Sequence, residues 1–374
     1  MTKKGDSLGY VPALDGLRAI SIAMVVGHHS PLQNSFFFDQ GGSGVDVFFV
    51  LSGYLISSLI LDEREETGTI SLRDFYIRRF LRIVPVFWVF AFVLSIAGTE
   101  GPGFLPWVLT YTSNVGLAFG YMALQGGAPL TWSLSMEEQF YVAWPPLVRR
   151  FDARALQRGV VVFIAATTAW RLVLVERGIF NFPELYCRPD ARMDMILWGC
   201  LAALVEREEW FQALRPRILE ARRLLLLLLL VAGAASYRMA EIDPTYMGRV
   251  GFLLHGVLTA AVILWVRACP VSRVTVLLGS WPLVWVGKLS YSIYLWHLAV
   301  AHFVLTPLFG RVAPLLPAAT PSWARWALAV VAWIAAVVAG GLLSYLVIEK
   351  PFLRLKSRFA RTGRAEKAAA PAAV

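Results

Sequence analysis

Along the 374 residues, long apolar runs alternate with short polar connections, many of them basic. A helix needs about 20 apolar residues to cross the hydrocarbon core of a bilayer. Runs at 83–97, 159–175, 224–236, 250–266 and 326–348 approach or exceed that length. None alternates with the two-residue period of a barrel strand, and backbone in lipid has to satisfy its own hydrogen bonds, so the pattern predicts helices. The spans are expected at 15–33, 44–61, 80–97, 159–176, 192–206, 222–239, 248–266, 288–309 and 326–348, with one more through "LTWSLSMEEQFYVAWPPLV". The semi-apolar stretch "FLPWVLTYTSNVGLAFGY", 104–121, is expected to be re-entrant or interfacial, because counting it as a span would put the basic segment 149–158 outside. The expected fold class is an all-α polytopic membrane protein of about ten transmembrane helices plus that one partial helix.

Composition agrees with the pattern: 57% of residues are hydrophobic, 16% are charged, and the mean hydropathy is +0.60. A net charge of +10 would suggest nucleic acid in a soluble chain, but here the basic residues cluster at 3–4, 64–82, 149–158, 207–223, 267–273 and 350–367. Segments 34–43 and 98–131 hold no Lys or Arg. The positive-inside rule then puts both termini in the cytoplasm of a cell whose cytoplasmic membrane holds the protein, with lipids as partners and no nucleic acid. The first apolar segment is interrupted by charge and no small-residue cleavage site follows it, so it is not expected to be a removed signal peptide. Cys187, Cys200 and Cys269 are widely spaced and form no metal pattern, so they read as packing residues and no metal is expected. One transmembrane domain is expected over 1–352, followed by a disordered cytoplasmic tail at 353–374.

Polar residues inside apolar segments carry the functional signal, because a charge at the bilayer centre costs at least about 2.5 kcal/mol. In "LDGLRAISIAMVVGHHS", Arg18 and His29 are eleven positions apart and share a helix face about 16 Å apart along the axis, with His28 turned away. Asp46 opens the next segment, which is expected to pack antiparallel and bring the carboxylate close to the level of His29; capping of its own helix is the competing role. Ser133, Glu137 and Tyr141 form a polar face at four-residue spacing. Arg78 and Arg82 lie one turn apart in "FYIRRFLRIVP", with Arg79 beside them, a set suited either to lipid head groups or to the phosphates of a nucleotide-bearing donor. His255 and His302 read as packing residues.

The ordered set "LDGLRAISIAMVVGHH", "GVDVFFVLSGYLIS", "FYIRRFLRIVPVFW", "TWSLSMEEQFY", "CRPDARMDMILWGCLAAL", "GKLSYSIYLWHLAV" and "SYLVIEKPF" resembles the acyltransferase-3 family of integral membrane O-acyltransferases, over residues 12–352. The resemblance implies transfer of an acyl group, often acetyl, from acyl-coenzyme A to a hydroxyl of a carbohydrate or small molecule. It maps the family's motif residues onto Arg18 and His29, Arg78 and Arg82, Glu137, and Arg192 with Asp194. His297 belongs to the pattern too and is expected to be structural. Some members carry an extracytoplasmic esterase-like domain after the membrane part; none is expected within these residues.

The chemistry needs a base, a hold on the donor and a stabiliser for the tetrahedral oxyanion. His29, with an intrinsic pKa near neutrality, suits the base, oriented by Asp46 or Glu137, or is itself transiently acylated. Arg18, Arg78, Arg82 and, less centrally, Arg79 are expected on the donor, acetyl-coenzyme A foremost. The acceptor is expected to be a cell-surface carbohydrate or lipid-linked glycan, with a secondary metabolite such as a macrolide as the alternative; the oligomeric state stays open. A secondary transporter is the non-enzyme alternative, but the chain shows neither inverted repeats nor matched broken helices.

Overall fold

The computed structural model describes residues 10–32, 41–98, 103–122, 128–312 and 320–355. Within them the chain is helical, with no strand. The expected tail at 353–374 falls almost wholly outside the described residues.

The helices are α1 (Pro12–His28), α2 (Ser43–Thr67), α3 (Leu72–Ile96), α4 (Phe104–Leu109), α5 (Ser113–Ala118), α6 (Thr131–Arg150), α7 (Ala153–Glu176), α8 (Pro189–Arg192), α9 (Asp194–Val205), α10 (Glu209–Glu220), α11 (Arg222–Ile242), α12 (Phe252–Ala268), α13 (Arg273–Leu278), α14 (Trp281–Val300), α15 (Thr306–Val312) and α16 (Ser322–Ser344). Local signals set several ends. Pro12 opens α1, where its missing N–H is not needed. Asp152 caps α7 by accepting from the Ala155 amide at 2.7 Å. Gly68, at φ +76°, closes α2 in the left-handed conformation that a side chain would resist.

Seven helices among the described residues are long and apolar enough to cross a membrane: Ser43–Thr67, Leu72–Ile96, Ala153–Glu176, Arg222–Ile242, Met247–Ala268, Trp281–Val312 and Ser322–Leu355. All seven coincide with expected spans. The other three expected spans, α1, α6 and α9, do not reach that length and apolarity. α1 is only 17 residues, α9 only 12, and α6 carries Glu137, Glu138 and two prolines. These three lie at the centre of the bundle. Nine of the 12 residues of α9 are buried, against Ser236 alone in the 21-residue, leucine-rich α11. A helix wrapped by other helices meets protein rather than lipid, so polar side chains there find partners.

The 104–121 stretch is broken into α4 and α5, six residues each, with Tyr111 between them at φ +54°. Neither can cross a bilayer. Their exposed backbone is held from α6: the Gln139 amide donates to Tyr111 O at 2.9 Å and exchanges hydrogen bonds with the Asn114 amide at 2.9 and 3.1 Å. Irregular backbone is tolerated where protein supplies these bonds.

Glycines set the two tightest helix contacts. A Cβ on Gly199 of α9 would sit 1.9 Å from Val50 O of α2, and one on Gly53 of α2 would sit 1.9 Å from Ile196 O of α9. Likewise a Cβ on Gly287 of α14 would sit 2.0 Å from Asp15 O of α1. α1 and α14 therefore run side by side at backbone distance. They are parallel, since Asp15 meets Gly287, Arg18 meets Ser290 and His29 meets His297. α1 and α2 are antiparallel as expected, with Gly44 against Ser21 and Val25, and Gly41 against His28.

Candidate active site

A cavity of about 550 Å³ opens beside the N-terminal half of α1. Its wall on α2 runs from Asp62 to Val45, a depth of about 25 Å at 1.5 Å per residue. Four arginines are in its lining: Arg18 of α1, Arg79 and Arg82 of α3, and Arg267 of α12, which pairs with Glu206 at 2.7 Å. Arg18 donates from Nε and Nη2 to Ser290 Oγ at 3.3 and 3.1 Å, a neutral partner. The Arg79 guanidinium stands over the Tyr141 ring at 5.1 Å. Among the described residues, no carboxylate forms a salt bridge with Arg79 or Arg82. Arg18, Arg79 and Arg82 share the lining with Asp15, Asp62 and Glu137, but with Arg267 and Lys288 the cations outnumber the acids, which suits an anion.

Arg78 is placed differently from expectation. It points out of the cavity and pairs with Glu63 at 3.1 Å. Arg79, the weaker candidate on sequence, takes its place. On a helix Arg78 and Arg79 differ by 100°, and Arg82 lies between their directions. Spacing alone could not say which side of Arg82 faced inward.

The polar face of α6 does face the cavity, with Ser133, Glu137 and Tyr141 all in its wall. The Tyr141 hydroxyl donates to Glu137 Oε2 at 3.2 Å and makes a very short contact with the Ser52 hydroxyl. Glu137 thus lies in the same wall as the arginines and not beside His29.

At the closed end of the cavity Phe48 and Tyr294 meet edge to face, their centroids 6.4 Å apart, and the Tyr294 hydroxyl bonds Ser133 Oγ at 2.6 Å. Neither His29 nor His297 lines the cavity. They lie immediately beyond this pair of rings. The Tyr294 carbonyl is 2.7 Å from His297 Nδ1, and His297 Nε2 is 3.2 Å from His29 Nδ1. His29 is the residue that ends α1, its ring exposed, its Nδ1 also 2.9 Å from Val25 O. Val25 itself packs on Gly44, next to the cavity-lining Val45. The inner end of the cavity thus comes within about one helical turn of the exposed imidazole.

Asp46 does not orient His29. It accepts from Arg192 Nη2 at 2.5 Å and contacts His255 Nδ1 at 2.8 Å. The reason is rotational: Gly44 faces α1, and two residues further on a side chain points 200° away, toward α9 and α12. Arg192 and Asp194 likewise do not pair with each other. Asp194 takes Arg171 at 3.0 Å, and Arg192 lies 3.5 Å over the Phe252 ring. Both arginines are 1% exposed. Arg171 and His255 were not singled out by sequence because their charged partners, Asp194 and Asp46, lie 23 and 209 residues away on other helices. Glu349 accepts from Ser292 Oγ at 2.8 Å.

A family model described as an acyltransferase domain, acyltransferase-3, matches residues 11–347. The chain belongs to the acyltransferase-3 family. Among the proteins similar to it is the peptidoglycan O-acetyltransferase OatA of Listeria monocytogenes, 30% identical over 91% of this chain and 56% of the relative. Another is YrhL of Bacillus subtilis, provisionally named a peptidoglycan O-acetyltransferase, 34% identical over 78% of this chain and 48% of the relative. The chain spans about half the length of these curated relatives. No solved structure matches it.

Proposed function

We propose that this acyltransferase-3 member is a membrane O-acetyltransferase that moves an acetyl group from cytoplasmic acetyl-coenzyme A to a hydroxyl of a cell-wall or other surface glycan. The observation that carries this reading is the alignment of one anion-binding cavity with one imidazole pair along α1. Arg18, Arg79 and Arg82 suit the donor's phosphates, since guanidinium groups bind phosphate oxygens two at a time. The cavity depth of about 25 Å, at 1.5 Å per residue of α2, suits an extended pantetheine arm entering from the basic side and reaching Phe48 and Tyr294. Displacement of those two rings would bring the thioester to His29. The glycan acceptor is carried by the names of the relatives, both assigned to peptidoglycan O-acetylation.

In this scheme His29 takes the proton of the acceptor hydroxyl as the oxygen attacks the thioester carbonyl. The tetrahedral intermediate collapses, the C–S bond breaks, and the leaving thiolate recovers the proton from the imidazolium. Proteoliposomes holding the purified protein, acetyl-coenzyme A and glycan fragments test it. Coenzyme A should be released only when acceptor is present, and His29→Ala should lower kcat by on the order of 10²–10⁴, the usual worth of a general base, with donor binding intact. Full turnover by that variant would remove His29 from the mechanism. Solute movement without donor would remove the enzyme reading altogether.

A further inference from the structure

Besides His29, the described residues include half-buried His28 and His255 and buried His297, and the last two are used differently. His255 meets a carboxylate, Asp46. His297, 0% exposed, meets His29. The protons on this second pair can be placed by elimination. His297 Nδ1 lies 2.7 Å from Tyr294 O, and a carbonyl only accepts, so that nitrogen carries hydrogen. In a neutral ring His297 Nε2 is then a lone pair, and it lies 3.2 Å from His29 Nδ1. His29 Nδ1 also faces a second acceptor, Val25 O, at 2.9 Å. Both neighbours of that nitrogen accept, so it is the donor, and its hydrogen is shared between them.

We infer that His297 is a positioning residue that, together with the Val25 carbonyl, holds the His29 ring in its Nδ1–H tautomer and orientation and leaves Nε2 as the nitrogen that accepts the substrate proton. The inference rests on the reading of His29 as the base. It deepens that reading by naming the reacting nitrogen and the group that selects it. When His29 becomes an imidazolium, its Nδ1–H keeps both acceptors and the new hydrogen sits on Nε2, so no partner has to rearrange during turnover. Many catalytic histidines are held by a carboxylate; here a neutral imidazole does the work, and no second charge has to be desolvated beside the base. The contact depends on the close approach of α1 and α14 at Gly287, which sets His29 and His297 at one level. A structural role for His297 would be met by the Tyr294 carbonyl alone. It would not require the ring's other nitrogen to meet a second imidazole from a different helix.

The test uses the full chain in nanodiscs with acetyl-coenzyme A and glycan acceptor. His297→Leu keeps bulk and removes the acceptor; His297→Gln restores an oxygen at similar reach. The Leu variant should lose on the order of 10²-fold in kcat with donor KM unchanged, and the Gln variant should recover to within about tenfold of the native enzyme, as expected when a group acts by orienting another. Nitrogen-15 spectra of labelled histidines should show the His29 proton on Nδ1 in the native protein and, with the Val25 carbonyl the one acceptor left, a smaller Nδ1–H share in the Leu variant. The inference is overturned by a folded, donor-binding Leu variant with native kcat. It is overturned equally by Gln and Leu variants that fold and are equally slow. If the Leu variant fails to fold, the native spectrum decides alone: a proton on Nε2 of His29 sinks the proposal. Unimpaired turnover in His29→Ala would instead overturn the base reading itself, a different result from native kcat in His297→Leu with an inactive His29→Ala.

Discussion

Replacing Asp46 separates two roles that sequence alone leaves entangled. As the orienter of a catalytic histidine, Asp46 would matter to rate. As one arm of the Arg192–Asp46–His255 cluster, it matters to stability. The structure favours the second role. Asp46 is 2% exposed and Arg192 1%, joined at 2.5 Å, and Arg192 Nε and Nη1 have no other hydrogen-bond partner among the described residues. Asp46→Asn therefore strips a buried guanidinium of its only salt-bridge partner among the described residues, leaving the Phe252 ring face at 3.5 Å. Breaking a buried pair from one side costs about 3–5 kcal/mol, a large part of the roughly 5–15 kcal/mol that holds a typical fold. Removing both charges should be far milder, because no ion is left buried: the double variant Asp46→Leu, Arg192→Met exchanges the pair for apolar volume. Thermal unfolding in nanodiscs reads the stability, and acetyl transfer at a temperature where all variants are folded reads the rate. The single variant should unfold far more readily than native protein, and the double variant should recover most of the loss and turn over at near-native kcat. A double variant that folds well yet is inactive would refute the reasoning and return Asp46 to the catalytic machinery.

Two further expectations follow from the cavity and the helix contacts. Arg79→Gln and Arg82→Gln should each raise donor KM by about tenfold or more, a charge-assisted contact being worth roughly 1.5–3 kcal/mol, whereas Arg78→Gln, paired with Glu63 outside the cavity, should leave it nearly unchanged; steady-state kinetics with varied acetyl-coenzyme A decides, and an Arg78 effect equal to the others would refute the assignment. Gly199→Val should destabilise by more than about 1–3 kcal/mol, because its Cβ would land 1.9 Å from Val50 O and the two helices would have to part, while Gly159→Ala, with nothing within 4 Å, should be neutral or slightly stabilising by thermal unfolding.

Periodicity within one helix was sufficient for much of the site. Ser133, Glu137 and Tyr141 were placed on one face of α6 by spacing alone, and all three line the cavity. Arg18 toward one end of α1 and His29 at the other were likewise legible, as were the seven long apolar helices. The ordered motifs identified the family from the chain itself. Local spacing works here because a helix has one geometry, 100° per residue, whatever surrounds it.

What spacing leaves undetermined is the partner on the next helix, since that depends on how helices distant in sequence are rotated and brought together. Asp46 meets Arg192 and His255, 146 and 209 residues away, instead of His29; Arg79 rather than Arg78 turns inward; and His297 meets His29 across 268 residues. The meetings of Asp46 and of His297 go with backbone contacts at small residues, Gly44 against α1, Gly53 and Gly199 between α2 and α9, Gly287 against Asp15, where the loss of a side chain lets two helices approach and so selects the faces that meet. The residues able to do chemistry are written in the chain, but which of them act together is settled only by packing, because a hydrogen bond requires about 3 Å and helical periodicity carries no information about distances between helices.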